Sequence, residues 1–346
     1  MKVLLIGSVA PGSLESFYLK HLLNRSDFEV KVYACHDVFY SFHRESFFNK
    51  ILLKAGLSSV YKKINSEIIS IAEEFKPDIL LVFKGMEVYV STLTELKNRG
   101  IKLVNYNPDH PFIFFGRGSG NKNVERGIEK YDLYLTYSDV IASDLVATYK
   151  VKTGVIPFGY NYLSERPVRR EEEINKICFI GNPDRERAEI IKYLSDNDLP
   201  VDVYGQNWNS WLSNGRKISV FDSVYEGEFL AVANKYRIGL NLFRPHNNGS
   251  HNMRSFEMLA TGTIQLLPYS KQQEIFFEDE KEVFYYRSKK DLVQKAKSIL
   301  ALPFELASEI KSNAIAKSTK GKFSYKDRTV ESVSYKHLTL PTIYSV

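Results

Sequence analysis

Arg244 to Leu267 reads RPHNNGSHNMRSFEMLATGTIQLL and divides into a polar loop, a short helix and an apolar strand, just after another apolar run, Ile238 to Phe243. The loop holds Asn247, Asn248, Gly249, Ser250, His251 and Asn252, residue types that cap helices by accepting a hydrogen bond from the first free N–H groups. Gly262 closes the helix where a left-handed cap is wanted. Arg254 and Glu257 are three apart, so a helix puts them on one face. Such a helix start attracts anions, because its unpartnered N–H groups and summed backbone dipoles leave partial positive charge there. At the carboxyl edge of a sheet this arrangement suits a nucleotide diphosphate, with cations for phosphate and a carboxylate for ribose hydroxyls. The plainer alternative is a surface ion pair beside an ordinary loop.

Asn252, Arg254, Phe256, Glu257, Ala260 and Gly262 spell N-x-R-x-F-E-x-x-A-x-G, which resembles the donor-site signature of CgeB-like glycosyltransferases, a GT-B family related to the retaining nucleotide-sugar transferases. The resemblance implies an α/β protein of two doubly wound Rossmann-like domains facing across a cleft. It implies that Glu257 binds donor ribose and that His251, Asn252, Arg254 and Gly262 belong to the same donor site. The related enzymes carry a second glutamate eight residues earlier, facing the sugar. Here that position is Gly249, so the sugar contacts and the stereochemical outcome are left open. Val201 to Tyr204 followed by Gly205 and Trp208 resembles the family's v-x-v-y-G-x-x-W element, adding Gly205 to the donor residues. Phe179, Gly181 and Asn182 begin the pattern F-x-G-n-R, whose arginine Arg187 matches better than Arg185. Either arginine could also belong to a plain surface helix. Specific motifs cover most of Lys176 to Arg328, while the amino-terminal half resembles the family by pattern only.

A length of 346 residues suits two domains. With 44% hydrophobic, 25% charged and 13% aromatic residues the chain folds rather than staying disordered. Its 47 Lys+Arg against 41 Asp+Glu give +6. That balance favours anionic substrates or loose attachment to an anionic membrane, without the basic stripe of a nucleic-acid binder. Cys35 and Cys178 lie in apolar surroundings and read as reduced thiols of a cytoplasmic protein, too few for a four-cysteine zinc site. The chain enters a strand at once, with no signal peptide expected, and no apolar run reaches the roughly 20 residues that span a bilayer.

The amino-terminal half alternates strand and helix. Lys2 to Ile6 leads into a turn holding Gly7, Gly12 and Ser13, where two glycines let backbone approach a phosphate or sugar and Ser13 could cap the next helix. Gly12 and Ser13 are therefore acceptor or cleft candidates, with an ordinary tight turn as the alternative. Lys84 ends the apolar run Ile79 to Phe83 and joins them, since parallel sheets bind ligands at their carboxyl ends. Asp109 and His110, stiffened by Pro108 and Pro111, are the pair best suited to deprotonate an acceptor hydroxyl. Asp109 could equally just shape a turn. The aromatic, basic stretch Phe39 to Tyr61 reads as one buried helical face in preference to an acceptor or membrane surface. Asp196-Asn-Asp198 has the D-x-D spelling of metal-dependent transferases but no apolar run before it, and is rejected as a metal site.

These readings place an acceptor-side domain at 1–160, a linker at 161–175, a nucleotide-sugar domain at 176–320, a final helix at 321–333 and a non-native tail at 334–346. The expected activity is metal-independent transfer of a sugar from a nucleotide-diphosphate sugar to a glycan or lipid-linked acceptor, with no cofactor beyond that co-substrate. Expected partners are the donor, the acceptor and, through peripheral association, the inner face of a membrane, in cell-surface polysaccharide synthesis, with no role for nucleic acid. An inactive binding or regulatory protein and a sugar-nucleotide epimerase remain open on the same fold.

Overall fold

The computed structural model describes residues 1–54, 58–114, 119–212, 217–244 and 249–333. The cap candidates Asn247 and Asn248 and the tail 334–346 lie outside the described residues.

The chain forms two compact units, 1–157 with 325 onward, and 158–324. In the first, β1 (Lys2–Ile6), β2 (Glu29–Tyr33), β3 (Ile79–Phe83), β4 (Lys102–Asn107), β5 (Leu133–Thr136) and β6 (Thr153–Val155) form a sheet in the order β2-β1-β3-β4-β5-β6. Every pairing is parallel. Its central strands are short apolar runs because helices cover both faces, and all five residues of β3 are buried. Around them run α1 (Leu14–Leu23), α2 (Cys35–Glu45), α3 (Phe47–Lys54), α4 (Val60–Phe75), α5 (Val90–Asn98), α6 (Lys122–Gly127) and α7 (Asp139–Tyr149).

The second unit repeats the plan with β7 (Ile174–Ile180), β8 (Val201–Tyr204), β9 (Ile218–Phe221), β10 (Tyr236–Leu240), β11 (Ile264–Pro268) and β12 (Val283–Tyr286). Their order is β12-β11-β10-β7-β8-β9, again all parallel. The helices are α8 (Arg185–Asp196), α9 (Glu226–Lys235), α10 (Met253–Thr261), α11 (Lys271–Phe276), α12 (Lys289–Leu300) and α13 (Phe304–Lys320). A core of Ile177, Val201, Val203, Ile238, Leu240, Ile264 and Leu266 against Ile191, Leu194, Leu292 and Ile299 joins sheet to helices. Both units are doubly wound, as the strand–helix alternation predicts.

Strand order locates the ligand edges. Successive strands step away from a centre in opposite directions, and the crevice opens where the direction reverses, outside the carboxyl ends. That point lies between β1 and β3 in the first unit and between β7 and β10 in the second.

Three details differ from the sequence reading. The strand expected at Ile238 to Phe243 is β10, two residues earlier at its start. Residues 161–175, expected as a linker, lie inside the second unit and include the first residues of β7. The final helix, α14 (Tyr325–Val333), belongs to the first unit, where Tyr325 is fully buried and stacks on Phe17 of α1 with ring centroids 5.0 Å apart.

Candidate functional site

At the reversal point of the second unit, β7 ends in Gly181-Asn182-Pro183 and Asp184 caps α8 by accepting the Arg187 N–H at 3.0 Å. The cap turns the Arg187 side chain back over the sheet edge. Its guanidinium donates to Asn182 O at 2.9 Å and Leu242 O at 3.1 Å, lies 3.3 Å from the Asp184 carboxylate and covers the Phe179 ring. Burial pushes the Arg187 pKa down to about 10, and the charges of Arg244 and Arg254 add to this against Asp184. Arg187 thus sits desolvated among like charges at one sheet edge, and an anion placed there would offset both effects on it.

Arg254 lies over the Phe229 ring at 4.1 Å, donates to Ile180 O at 3.4 Å and pairs with the Glu257 carboxylate. The helix face inferred from the three-residue spacing is therefore real, and Glu257 is mostly buried on it. Asn252 caps α10 in a capping box with Ser255. A reciprocal amide pair with Asn241, at 2.9 and 3.0 Å, fixes that cap to the end of β10. Its side chain is thus spent on local structure.

Gly205 is required by close approach: a Cβ there would lie 2.3 Å from Gly181 O, to which Trp208 Nε1 donates at 2.8 Å. Gly205, Gln206, Asn207, Phe221 and Asp222 line a cavity of about 470 Å³ at the carboxyl ends of β8 and β9. Gly249, where related enzymes carry glutamate, has φ +81°, a backbone state that disfavours any side chain there.

Two further expected donor residues have packing and capping roles. His251 is fully buried, edge-on to Phe158, Phe256 and Phe276, because the loop turns it inward to fill an aromatic cluster. Gly262 is the left-handed cap at the far end of α10, packed against Ile315, so it ends the helix away from the ligand edge. Asp198, of the rejected D-x-D, is exposed and paired with Lys217 at 2.6 Å.

At the reversal point of the first unit, Gly12 has φ +76° with open space around it, and Ser13 caps α1. Ser8 Oγ and the Val9 N–H donate to Asp37 at 2.7 and 2.8 Å, holding the loop. Lys84 Nζ lies 2.7 Å from Asp109. Burial alone would lower the Lys84 pKa, but the charge and hydrogen bond of Asp109, with Glu15, raise it. The Asp109 N–H donates to Asn107 Oδ1 at 3.0 Å, and His110 packs edge-on to Phe112. The structure thus joins Lys84 to Asp109, two residues the sequence had assigned to separate roles.

Sequence reasoning missed a buried cluster beside them. His36 Nδ1 lies 2.6 Å from Glu87, and its Nε2 lies 3.8 Å from Glu15. Burial would lower the His36 pKa, yet the hydrogen bond and charge of Glu87, with Glu15, raise it. Burial raises the Glu15 pKa against the opposing charges of His36 and Lys84. Cys35 Sγ, His36 Nδ1 and Glu87 lie within 4.8 Å of one another, but the imidazole–carboxylate distance is that of a shared proton. Burial, then Glu87 and Glu15, push the Cys35 thiol well up. The signal in the sequence is that Glu15, His36 and Glu87 each follow soon after a strand on the reversal side of one sheet.

Residues 185–334 match a family model described as Glycosyl transferase-like. No curated protein matches the sequence. Among solved structures the chain is similar to a glycosyltransferase from Rickettsia africae ESF-5, 14% identical over 99% of each chain, with a TM-score of 0.68. It is also similar to HepE from Anabaena in complex with UDP and glucose, 12% identical over 96% of this chain and 98% of that one, TM-score 0.65. The UDP-N-acetylglucosamine 2-epimerase assigned in Listeria monocytogenes is 11% identical over 97% and 96%, TM-score 0.61. These likenesses show the GT-B fold of two Rossmann-like domains. The family match is to a glycosyl transferase-like model over residues 185–334, and the similar structures share the fold of the whole chain. Among the described residues no helix is long and apolar enough to cross a membrane.

Proposed function

We propose that this chain moves a sugar from a nucleotide-diphosphate sugar to an acceptor hydroxyl, with no metal or cofactor beyond the donor, and that its donor motif is of the CgeB-like kind. The observation that carries the reading is the meeting of Arg187 and Arg254 on the carbonyls at the end of β7, with Glu257 beside Arg254, at the reversal point of the second sheet. Arg187 and Arg254 would take the diphosphate, with the start of α10 adding N–H donors. Glu257 would exchange its Arg254 contact for the ribose hydroxyls. The acceptor side is read as the edge of the first unit, with Asp109, paired to Lys84, and His110 as the groups that take the hydroxyl proton, and Gly12 and Ser13, in the turn after β1, as further acceptor candidates.

The acceptor is proposed to be a cell-surface glycan or a lipid-linked intermediate at the inner face of a membrane. Calorimetric titration with uridine, guanosine and cytidine diphosphates tests the donor site, with uridine diphosphate first because a similar structure contains it. Silence from all of them at millimolar concentration would overturn the reading. The epimerase alternative is separated by incubation with nucleotide-sugars alone: epimer without released nucleotide favours it, and nucleotide release on adding acceptor favours transfer.

A further inference from the structure

The sequence stretch Phe39 to Tyr61 was expected to bury its aromatic residues on one face, and the structure splits it in two. Phe39 of α2 packs inward, its ring centroid 5.4 Å from Tyr61 of α4 and 6.2 Å from His43. Helix α3 is turned the other way. Ser46 is extended, its Oγ accepts the Asn49 N–H at 3.0 Å, and Asn49 Nδ2 donates to Phe42 O at 2.9 Å. These bonds fasten the Asn49 side to α2 and leave the other side outward: Phe47 is 77% exposed, Phe48 65% and Ile51 48%. Positions one and four apart fall within about 100° of helix arc, so the three side chains form one continuous apolar face. Exposed Lys50 borders it, and on α2 exposed Arg44 lies over the Tyr40 ring.

Exposing two phenylalanines and an isoleucine on two helical turns costs free energy unless something covers them. Charge identifies what does. Around the face itself, from Arg44 to Lys54, the chain carries Arg44, Lys50 and Lys54 against Glu45 alone. A second copy meeting the same face would set two basic segments against each other, as a two-fold contact requires. An anionic lipid surface supplies both an apolar boundary for the rings and negative charge for the lysines. We infer that the α3 face of Phe47, Phe48 and Ile51, with Lys50 at its border, docks this protein on an anionic phospholipid membrane. The inference stands apart from the donor-site reading, since it involves none of those residues.

The test is sedimentation of the full chain with vesicles of phosphatidylglycerol mixed with phosphatidylcholine, and with phosphatidylcholine alone. The chain is expected to sediment with the anionic vesicles, about tenfold more weakly with the neutral ones, and less at ~0.5 M salt, where screening lengths fall to a few ångströms. Phe47→Ser with Phe48→Ser should reduce anionic binding by about tenfold or more while nucleotide affinity stays unchanged. Lys50→Glu, which leaves the apolar face intact, should weaken binding in the same direction and guards against misfolding of the double variant. No sedimentation with anionic vesicles, or equal sedimentation of all three proteins, overturns the inference. So does a concentration-dependent dimer in light scattering that the double variant abolishes, because the face would then belong to a second copy.

Discussion

Glu257 is the residue on which the donor reading turns, and its present partner is Arg254 on the same helix face. If the carboxylate accepts two ribose hydroxyls, Glu257→Gln keeps the shape but loses charge-assisted bonds worth about 1.5–3 kcal/mol, or roughly tenfold to over a hundredfold in affinity. Arg254→Ala should weaken diphosphates far more than the bare nucleoside. Calorimetry on folded variants checks both, and unchanged affinity in Glu257→Gln would reduce the pair to an ordinary ion pair worth about 1 kcal/mol or less. The two residues were legible because helix geometry fixes what lies three apart. His251 was not, since the loop alone says nothing of which way it turns and only the aromatic cluster decides. Glu15, His36 and Glu87 were illegible for a related reason. Their meeting depends on β1, β2 and β3 lying side by side, and the members of the closest pair, His36 and Glu87, are far apart in sequence.

Among the elements, α10 carries its specification in its own sequence. Asn252 and Ser255 close its start and Gly262, at φ +71°, its end. Removing a capping side chain costs about 0.5–2 kcal/mol. Asn252→Ala should reach the upper part of that range, because it also leaves Asn241, buried at the end of β10, without its amide partner. Denaturant unfolding measures the loss, and weaker diphosphate binding in the same variant would show that the cap also positions Arg254. A change under about 0.5 kcal/mol would mean that water replaces the cap. The same local logic misled at α3, whose apolar spacing is that of a buried helix. Hydrophobic periodicity reports that a face is apolar, and tertiary packing decides whether that face is covered.

At the scale of the whole molecule, strand alternation disclosed two doubly wound units, because parallel strands buried on both faces must be short, apolar and separated by helices. It could not disclose that α14 returns to the first unit, since that depends on Tyr325 finding Phe17. Nor could it disclose the buried triad of the second unit, where Glu173 meets Lys311 at 2.6 Å and Arg237 at 2.5 Å. Arg237 also donates to Leu302 O at 2.8 Å, tying β10 to the chain after α12. Glu173→Gln would leave two buried cations facing a neutral amide, at a cost of about 3–5 kcal/mol, read as a fall in the denaturant midpoint. Little change would mean that water reaches the triad.

The two buried clusters should set opposite limbs of the stability–pH profile. Burial alone would raise the Glu173 pKa, but the bonds and charges of Arg237 and Lys311 lower it below its ordinary 4.5. Its contribution is therefore present above about 4.5 and lost as pH falls through the depressed value. His36 and Glu15 have the reverse sign, with pKa values raised from 6.5 and 4.5 in the folded protein. Their contributions are full below those ordinary values and disappear as pH rises through the raised ones. Thermal melts in a pH series should thus fall on both sides of a maximum. Glu173→Gln should flatten the acid limb alone. His36→Gln combined with Glu87→Gln removes the first unit's imidazole–carboxylate pair without stranding either charge, and should flatten the part of the alkaline limb that begins above 6.5. An alkaline limb of unchanged slope in that double variant would show that the His36 proton is not linked to folding.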